Sequence, residues 1–342
     1  VQDIIKLQKK IVPEITELLE KRYAILKAIY YSQPVGRRTI SEELGIGERI
    51  VRAEVNFLKD QGLIEIKPEG MAATKQGGEI LEKLKKFIFE LRGLSDVERY
   101  LKHKLSLKKV IIVPGDTDMD AAATADLGRA AAEYVRSILE DGSVIALTGG
   151  TAIKDLADNF KRVSGLKDLM VVPARGGIGK SVETQANFLA ARVAESIGAS
   201  YKLLQVPDTL SRKAIDAIVK EKEVKEVLDI LRNTDILIYG IGRMQTMASR
   251  RGLNEDEIQK LVGRGAVGEA FGYYFDKEGN IVHSTTTLGI KYEEVKNVKT
   301  QVALAGGSHK AEAILSVIKN NSKTVLVTDE GAAKEIVNLF KK

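Results

Sequence analysis

From Lys109 to the C-terminus, short apolar runs alternate with longer stretches of helical periodicity, a pattern that few folds accept. The runs cover residues 110–113, 144–147, 169–173, 203–206, 236–239, 302–305 and 324–327. Helical spacing occupies residues 121–140, 152–161, 182–197, 212–231, 244–250, 255–261, 310–319 and 332–340. The runs are mostly apolar rather than alternating, as expected of strands covered on both faces. Strand after helix after strand then predicts a parallel, doubly wound, Rossmann-like α/β sheet. One break stands out. Residues 266–276 and 281–288, joined by Lys277-Glu278-Gly279-Asn280, predict a β-hairpin inserted into the alternation.

The 342 residues exceed one such sheet, and a prior of about 150 residues per domain suggests two domains, placed at 1–93 and 94–342. The chain has no cysteine and three histidines, which excludes a disulfide framework and argues against a zinc site. Neither a metal nor a cofactor is expected. No apolar run approaches the roughly 20 residues of a membrane span. Residues 1–20 read as a charged, amphipathic helix rather than a signal peptide. A cytoplasmic location is expected. The net charge of +6 permits a polyanionic partner.

Residues 1–93 carry a different pattern. Helical spacing over 17–31 is followed by a short helix at 38–44, a turn at Gly45 and a second helix at 47–60. Residues 63–66 then alternate as a strand, Pro68-Glu69-Gly70 turns, residues 71–73 return, and Thr74 caps a helix starting near Gly77. Helix, glycine turn, helix and two-stranded wing predict a winged helix-turn-helix. In its second helix Ile50, Val51, Val55 and Leu58 are expected to face inward. Glu48, Arg49, Arg52, Asn56 and Lys59 face outward. Arg and Asn match guanine and adenine edges, and Lys suits phosphate. Arg37 and Arg38 could clamp phosphate at the first helix, and Lys67 could add to this from the wing. Residues 35–60 hold five basic and five acidic side chains, so this is no bulk basic patch, and a protein-interaction module is the competing reading. Ile80, Leu81, Leu84, Phe87, Ile88 and Leu91 suggest a linker or dimerisation helix. Residues 1–16 would pack beside it or against a second subunit.

In the larger domain, nearly every strand ends in small or polar residues, where open α/β sheets bind ligands. Residues 143–156 run from strand through Thr148-Gly149-Gly150-Thr151 into a helix, a geometry that offers backbone amides to an anion. The spacing is neither GxxxxGK[ST] nor GxGxxG. Three companions follow: Ala174-Arg175-Gly176-Gly177-Ile178-Gly179, Gly240-Ile241-Gly242-Arg243 and Ala305-Gly306-Gly307-Ser308-His309-Lys310. Four glycine loops at one sheet edge, with two Arg and a Lys among them, suit a phosphorylated small molecule.

TGGT at 148–151, VPARGGIG at 172–179, ETQAN at 183–187, YGIGR at 239–243, GEAFGYYFD at 268–276, AGGSHKAEAI at 305–314 and LVTDEGAA at 326–333 together resemble the SorC family of bacterial transcriptional regulators. The resemblance spans essentially the whole chain, including PVGRR at 34–38 and ERIVRAEVNFLK at 48–59. It implies a DNA-binding winged helix joined to an effector domain shaped like sugar-phosphate isomerases and deaminases. A homo-oligomer on operator DNA is expected as well, because one winged helix with few base contacts gives too little specificity alone. It further implies repression of a glycolytic operon encoding glyceraldehyde-3-phosphate dehydrogenase and downstream enzymes, relieved by fructose-1,6-bisphosphate. By the same resemblance, Gly149, Gly150 and Thr151, with the Ala152 backbone and Lys310, would hold one phosphate. Arg175, Gly176 and Gly177 would lie beside the sugar with Gln185. Arg250 would reach the other phosphate and Glu269 a sugar hydroxyl. A family member carries a second threonine where this chain has Ala152, so one side-chain donor is missing.

Isomerase or deaminase chemistry would need a base and a proton shuttle. The related deaminases carry Asp-Gly-His after such a GxG, whereas Gly240-Ile241-Gly242 is followed here by Arg243-Met244-Gln245. Asp116, Glu183 and Glu269 have no histidine nearby in sequence, and His309 reads as a polar loop residue. The expectation is a ligand-binding domain without turnover.

Overall fold

The structure, a computed structural model, describes residues 10–176, 181–207, 211–319 and 321–341. It forms two compact units, Val1–Asp96 and Val97–Lys342.

The first unit contains α1 (Pro13–Ser32), α2 (Arg37–Leu44), α3 (Glu48–Asp60), a wing of β1 (Ile64–Lys67) and β2 (Gly70–Ala73), and α4 (Lys75–Leu91). Helix α1 begins earlier than its apolar periodicity suggests because Pro13 occupies the first helical position, where a missing N–H costs nothing. Gly45 ends α2 in the left-handed region at φ 62°. The wing pairs antiparallel from Ile64 opposite Ala73 to Lys67 opposite Gly70. Thr74 caps α4 as expected, its hydroxyl accepting the Gly77 amide at 3.0 Å. The core joins Ile25 and Ile29 of α1, Ile40 of α2, Val51 and Val55 of α3, and Leu81 and Ile88 of α4.

Two expectations are corrected here. Ile50 is 45% exposed rather than inward, because its neighbour Val51 takes the core position and adjacent helical residues point about 100° apart. The apolar stripe of α4 belongs to this same core, with Leu84 and Phe87 packed against it, instead of running free as a linker. Residues 1–9, including Ile4, Ile5 and Leu7, lie outside the described residues.

After α5 (Leu94–Lys104), the second unit runs β3 (Lys109–Val113), α6 (Ala121–Ser137), β4 (Val144–Leu147), α7 (Thr151–Asp158), β5 (Met170–Pro173), α8 (Ala186–Ile197) and β6 (Ser200–Tyr201). Helices α9 (Arg212–Ile218) and α10 (Lys222–Arg232) lead to β7 (Ile236–Gly240), β8 (Gly242–Arg243), α11 (Met244–Arg250) and α12 (Glu255–Gly263). Then follow β9 (Ala266–Ala270), β10 (Tyr273–Asp276), β11 (Ile281–Ser284), α13 (Tyr292–Val295), β12 (Thr300–Leu304), α14 (Ala311–Ile318), β13 (Thr324–Asp329) and α15 (Glu330–Leu339). Seven parallel strands form one sheet in the order β3-β13-β12-β7-β4-β5-β6. Every residue of β12 and β13 is buried, as parallel strands covered on both faces require. Helices α6, α7 and α8 close one face through Leu127, Ile153, Leu156, Leu189 and Val193 against Ile145, Ile238 and Leu304.

The strand order places the site. From β4 the chain moves outward to β5 and β6, returns to β7 beside β4, and then moves the other way to β12 and β13. The direction reverses between β4 and β7, so the loops leaving these two strands diverge and open a crevice at their carboxyl ends.

Four boundaries differ from the sequence reading. Residues 203–206 are not a strand: the Asn187 side chain takes the Leu204 amide (2.8 Å) and carbonyl (2.9 Å), standing in for a sheet neighbour. The helix expected over 212–231 is two, since Glu221 takes an extended conformation as the N-cap of α10. The helix expected from 182 is a single 3-10 turn, Val182–Thr184, separated from α8 by the extended Gln185. The inserted hairpin is a four-stranded sheet in the order β11-β10-β9-β8. Residues 266–276 fold back on themselves at Phe271 (φ 38°) and Gly272 (φ 96°), two consecutive left-handed residues of the sort a tight hairpin requires.

Candidate functional site

A cavity of about 290 Å³ opens at the switch point. The loop after β4 supplies Gly149, Gly150, Thr151 and Ala152, and the loop after β5 supplies Arg175. The turn after β7, continuing into α11, adds Arg243 and Arg250. Glu269 comes from β9, and His309 and Lys310 come from the loop after β12. Among the described residues, five cationic side chains (Arg175, Arg243, Arg250, Arg251 and Lys310) line this cavity beside one carboxylate, Glu269. Such a surplus in a concave site attracts an anion.

The glycine loop is built by close approach. A Cβ on Gly149 would lie 2.5 Å from the Thr184 carbonyl oxygen, so only glycine fits. Gly150, at φ 121°, donates its own amide to that same carbonyl at 2.9 Å and is the N-cap of α7. The amides of Thr151, Ala152 and Ile153 then open α7, where a helix has no carbonyls of its own to accept them. This end of the dipole favours negative charge by about 0.3–1 kcal/mol.

Glu269 is placed by the small sheet. Strand β8 pairs Gly242 with Glu269, which brings the β9 carboxylate against the loop leaving β7. Its Oε1 accepts from Arg251 Nη2 at 2.7 Å and from the Gly272 amide at 2.7 Å. Arg251 Nη1 also donates to Thr285 Oγ1 at 3.2 Å, and that hydroxyl donates to the Gly272 carbonyl at 3.1 Å. The four residues close a ring of hydrogen bonds around the β9–β10 turn. Arg175, 2% exposed, lies 3.9 Å from the same carboxylate oxygen. Its loop is held to the 288–290 segment, with the Gly176 amide donating to the Leu288 carbonyl at 3.1 Å and the Ile290 amide to the Ala174 carbonyl at 2.8 Å.

The fourth glycine loop works differently from the first. Its amides go to carboxylates of the protein: Gly307 donates to Asp329 (2.7 Å) and His309 to Asp118 (3.1 Å). The loop is therefore fixed by its own acids and presents side chains. Burial pushes the Lys310 ammonium below the ordinary lysine value. Asp118 and Asp329 pull it back, and the Arg250 charge pushes in the same direction as burial. Burial acts to raise the Asp118 carboxyl, yet hydrogen bonds from the His309 ring and amide hold it below the usual range. His309 Nδ1 stands 2.5 Å from Asp118 Oδ1, so the histidine has a carboxylate partner that lies 191 residues away in sequence.

Of the residues singled out by sequence, Gly149, Gly150, Thr151, Ala152, Arg175, Arg250, Glu269 and Lys310 meet at this cavity. Gly176 and Gln185 do not line it; the Gln185 backbone instead supports Gly149 from behind. Gly177 lies outside the described residues. Sequence reasoning missed Arg251, which the Arg250-Arg251 pair offered only as an ambiguity of helical phase. His309 is an exposed loop residue as expected, and its partner Asp118 is visible only in three dimensions. Among the described residues no group of His, Asp or Glu could hold a metal ion, and no helix is long and apolar enough to cross a membrane.

In the first unit, Glu48, Arg49, Arg52, Asn56 and Lys59 stand exposed along α3 opposite its buried Val51, Val55 and Leu58. Arg37 is half-buried, Arg38 pairs with Glu42 at 3.0 Å, and Lys67 on the wing pairs with Glu65 at 3.3 Å. Behind this face Arg22 bonds Glu54 at 2.8 Å and lies over the Phe57 ring, bracing α3 on α1. A helix presenting Arg, Asn and Lys without internal obstruction can enter a major groove.

Residues 18–88 match the CggR N-terminal DNA-binding domain, and residues 90–338 match the Sugar-bind family of sugar-binding domains. The central glycolytic genes regulator of Bacillus subtilis is 41% identical over 334 residues, covering 98% of each chain. Its counterpart from Priestia megaterium is 40% identical over 340 residues, covering 99% of each. A solved SorC family transcriptional regulator from Enterococcus faecalis superposes with a TM-score of 0.67 at 35% identity, covering 71% of this chain and 99% of its own.

Proposed function

The chain belongs to the SorC family of transcriptional regulators, and on that footing we propose that it represses a glycolytic operon and is loosened from its operator by fructose-1,6-bisphosphate. The observation that carries this reading is the switch-point cavity. A helix N-terminus, Lys310 and Arg250 converge there with Arg175 and Glu269, a combination suited to a sugar bearing two phosphates. In the proposed complex the α7 amides and Lys310 hold one phosphate, Arg250 holds the other, and Arg175 and Glu269 lie beside the sugar.

On the DNA side, Arg49, Arg52 and Asn56 read base edges while Lys59, Arg37, Arg38 and Lys67 contact phosphates. One winged helix makes few base contacts, so a homo-oligomer reading repeated half-sites supplies the specificity. Effector binding shifts the sugar-binding unit, and a coupling of about 1–3 kcal/mol would weaken operator binding roughly 5- to 150-fold. Glycolytic genes are the proposed targets, in keeping with the relatives' name; glyceraldehyde-3-phosphate dehydrogenase and downstream enzymes are the targets that the family resemblance implies.

The cavity is proposed to bind without turnover. Glu269 is committed to Arg251 and Gly272, and the Asp-Gly-His shuttle of the deaminases has no counterpart after Gly242. Among the described residues at the cavity, the His309–Asp118 pair is an arrangement that could move a proton. Isomerase or deaminase turnover that vanishes in His309→Ala or Glu269→Gln would overturn the assignment. For the effector, the test is fluorescence anisotropy of the full chain on labelled operator DNA. Fructose-1,6-bisphosphate should release the DNA at lower concentration than glucose 6-phosphate or fructose 6-phosphate. Release by a monophosphate alone would replace the proposed effector.

A further inference from the structure

Behind the wall formed by Arg251 lies a second cavity of about 580 Å³, twice the volume of the first. A void of this size falls in the range of small-molecule sites. Its lining differs from that of the switch-point crevice. Lys260 and Arg264 project from α12, and Arg251 closes the inner end. Glu257 is the one carboxylate among the described lining residues, and its Oε2 is engaged by the Asn254 amide at 2.9 Å in the capping box of α12. Three cations thus face one committed acid. Ser284, Thr285, Thr286 and Thr287 also line it.

Among the described residues no acid forms an ion pair with Lys260 or Arg264. Arg264 donates to the Val282 carbonyl at 3.1 Å, a neutral acceptor that orients the guanidinium and leaves its charge. His283 also lines the cavity, half-buried, with its ring 5.6 Å from that of Tyr274. Burial and the Arg264 charge both push its imidazole below the ordinary histidine value, with Glu257 opposing. The Arg264 charge adds to the larger effect of burial, and an anion seated beside Arg264 would oppose its part of the shift.

We infer that this second cavity binds a phosphorylated polyhydroxylated small molecule, its phosphate held by Lys260 and Arg264 and its hydroxyls by the Ser284–Thr287 hydroxyl side chains. The site is separate from the switch-point crevice and stands independently of the effector proposed for it. Arg251 is the shared partition, since one of its nitrogens bonds Glu269 of the first cavity and another bonds Thr285 of the second.

With three histidines in the chain, imidazole NMR signals resolve the two cavities: His283 reports on the second, His309 on the first, and His103 serves as a reference. The full chain, labelled at histidine, is titrated with orthophosphate and with glucose 6-phosphate. Orthophosphate should move the His283 signal saturably toward the protonated form, both in the wild type and in Arg250→Ala. Lys260→Ala with Arg264→Ala should weaken this response at least tenfold. Lys260→Glu alone, a change at an exposed position, should also abolish most of it without disturbing the fold. In the Arg250→Ala background glucose 6-phosphate should saturate His283 at lower concentration than orthophosphate. Failure of His283 to respond, a response that disappears with Arg250→Ala, one that survives the Lys260 variants, or one that never saturates would each overturn the site. Equal affinity for the two probes would overturn the assignment of a polyhydroxylated ligand.

Discussion

The exposed face of α3 and the switch-point cavity both gather positive charge, but they do so under opposite physical conditions. On α3 the side chains stand in water, one helical turn apart, and the ion pairs around them, such as Arg38 with Glu42 and Lys67 with Glu65, are exposed on the surface. Pairs of that kind are worth about 0–1 kcal/mol and release easily when phosphate arrives. In the cavity wall, Arg175, Arg251 and Glu269 are almost wholly buried, and the carboxylate is fixed by hydrogen bonds from two directions. The first arrangement is an adaptable reading surface. The second is a preformed socket whose charges are oriented before any ligand enters.

The contrast can be broken most severely at Arg251. Arg251→Ala strips the buried Glu269 of its closest charge partner and should destabilise the second unit by about 3–5 kcal/mol, seen as a lowered urea midpoint for that unit. A loss comparable to that of a surface substitution would mean the wall is not preformed. Arg250→Ala, at an exposed cavity residue, should leave stability unchanged and weaken fructose-1,6-bisphosphate binding by about 1.5–3 kcal/mol in calorimetry. Operator affinity without effector should not move. Arg52→Ala should do the reverse, costing about 1–3 kcal/mol of operator binding with effector affinity intact. If both substitutions damaged both activities equally, the division into two sites would fail.

A pH titration sharpens the comparison further. Phosphate binds the ammonium form of Lys310 and raises its pKa, which burial has lowered in the free site. Affinity is therefore complete below that lowered value. It falls by up to about tenfold per pH unit as pH rises through it. In Lys310→Arg the fall should disappear from the accessible alkaline range. The smallest effect is expected at Ala152, where Ala152→Thr adds a hydroxyl beside the α7 amides and should tighten effector binding by about 0.5–1.5 kcal/mol.

The same contrast explains what could be read from the chain beforehand. Arg49, Arg52, Asn56 and Lys59 were legible because they sit on one helix whose period is local and invariant. Gly149 and Gly150 were legible for a related reason, since strand, glycine pair and helix follow one another without interruption. Arg251 was not, because which of two adjacent arginines turns inward depends on the phase of α11 against β9. His309 is the polar loop residue expected, but its partner Asp118 comes from the loop after β3, two strands away in the sheet, and could not be read from the chain. The strand expected at 203–206 failed for a similar reason, as a side chain from α8 satisfied the backbone that a neighbouring strand would otherwise have bonded.

By itself, the sequence determined the winged helix, the doubly wound sheet, the glycine loops and the family, all carried by periodicity and short motifs that are properties of neighbouring residues. Only the tertiary structure decided which of those loops offers amides and which is closed by its own acids. It also decided that Glu269 is held by Arg251, and that a second cationic cavity stands behind that arginine. These outcomes depend on burial and on partners up to two hundred residues apart, where the strength of a charge is set by what the fold packs around it.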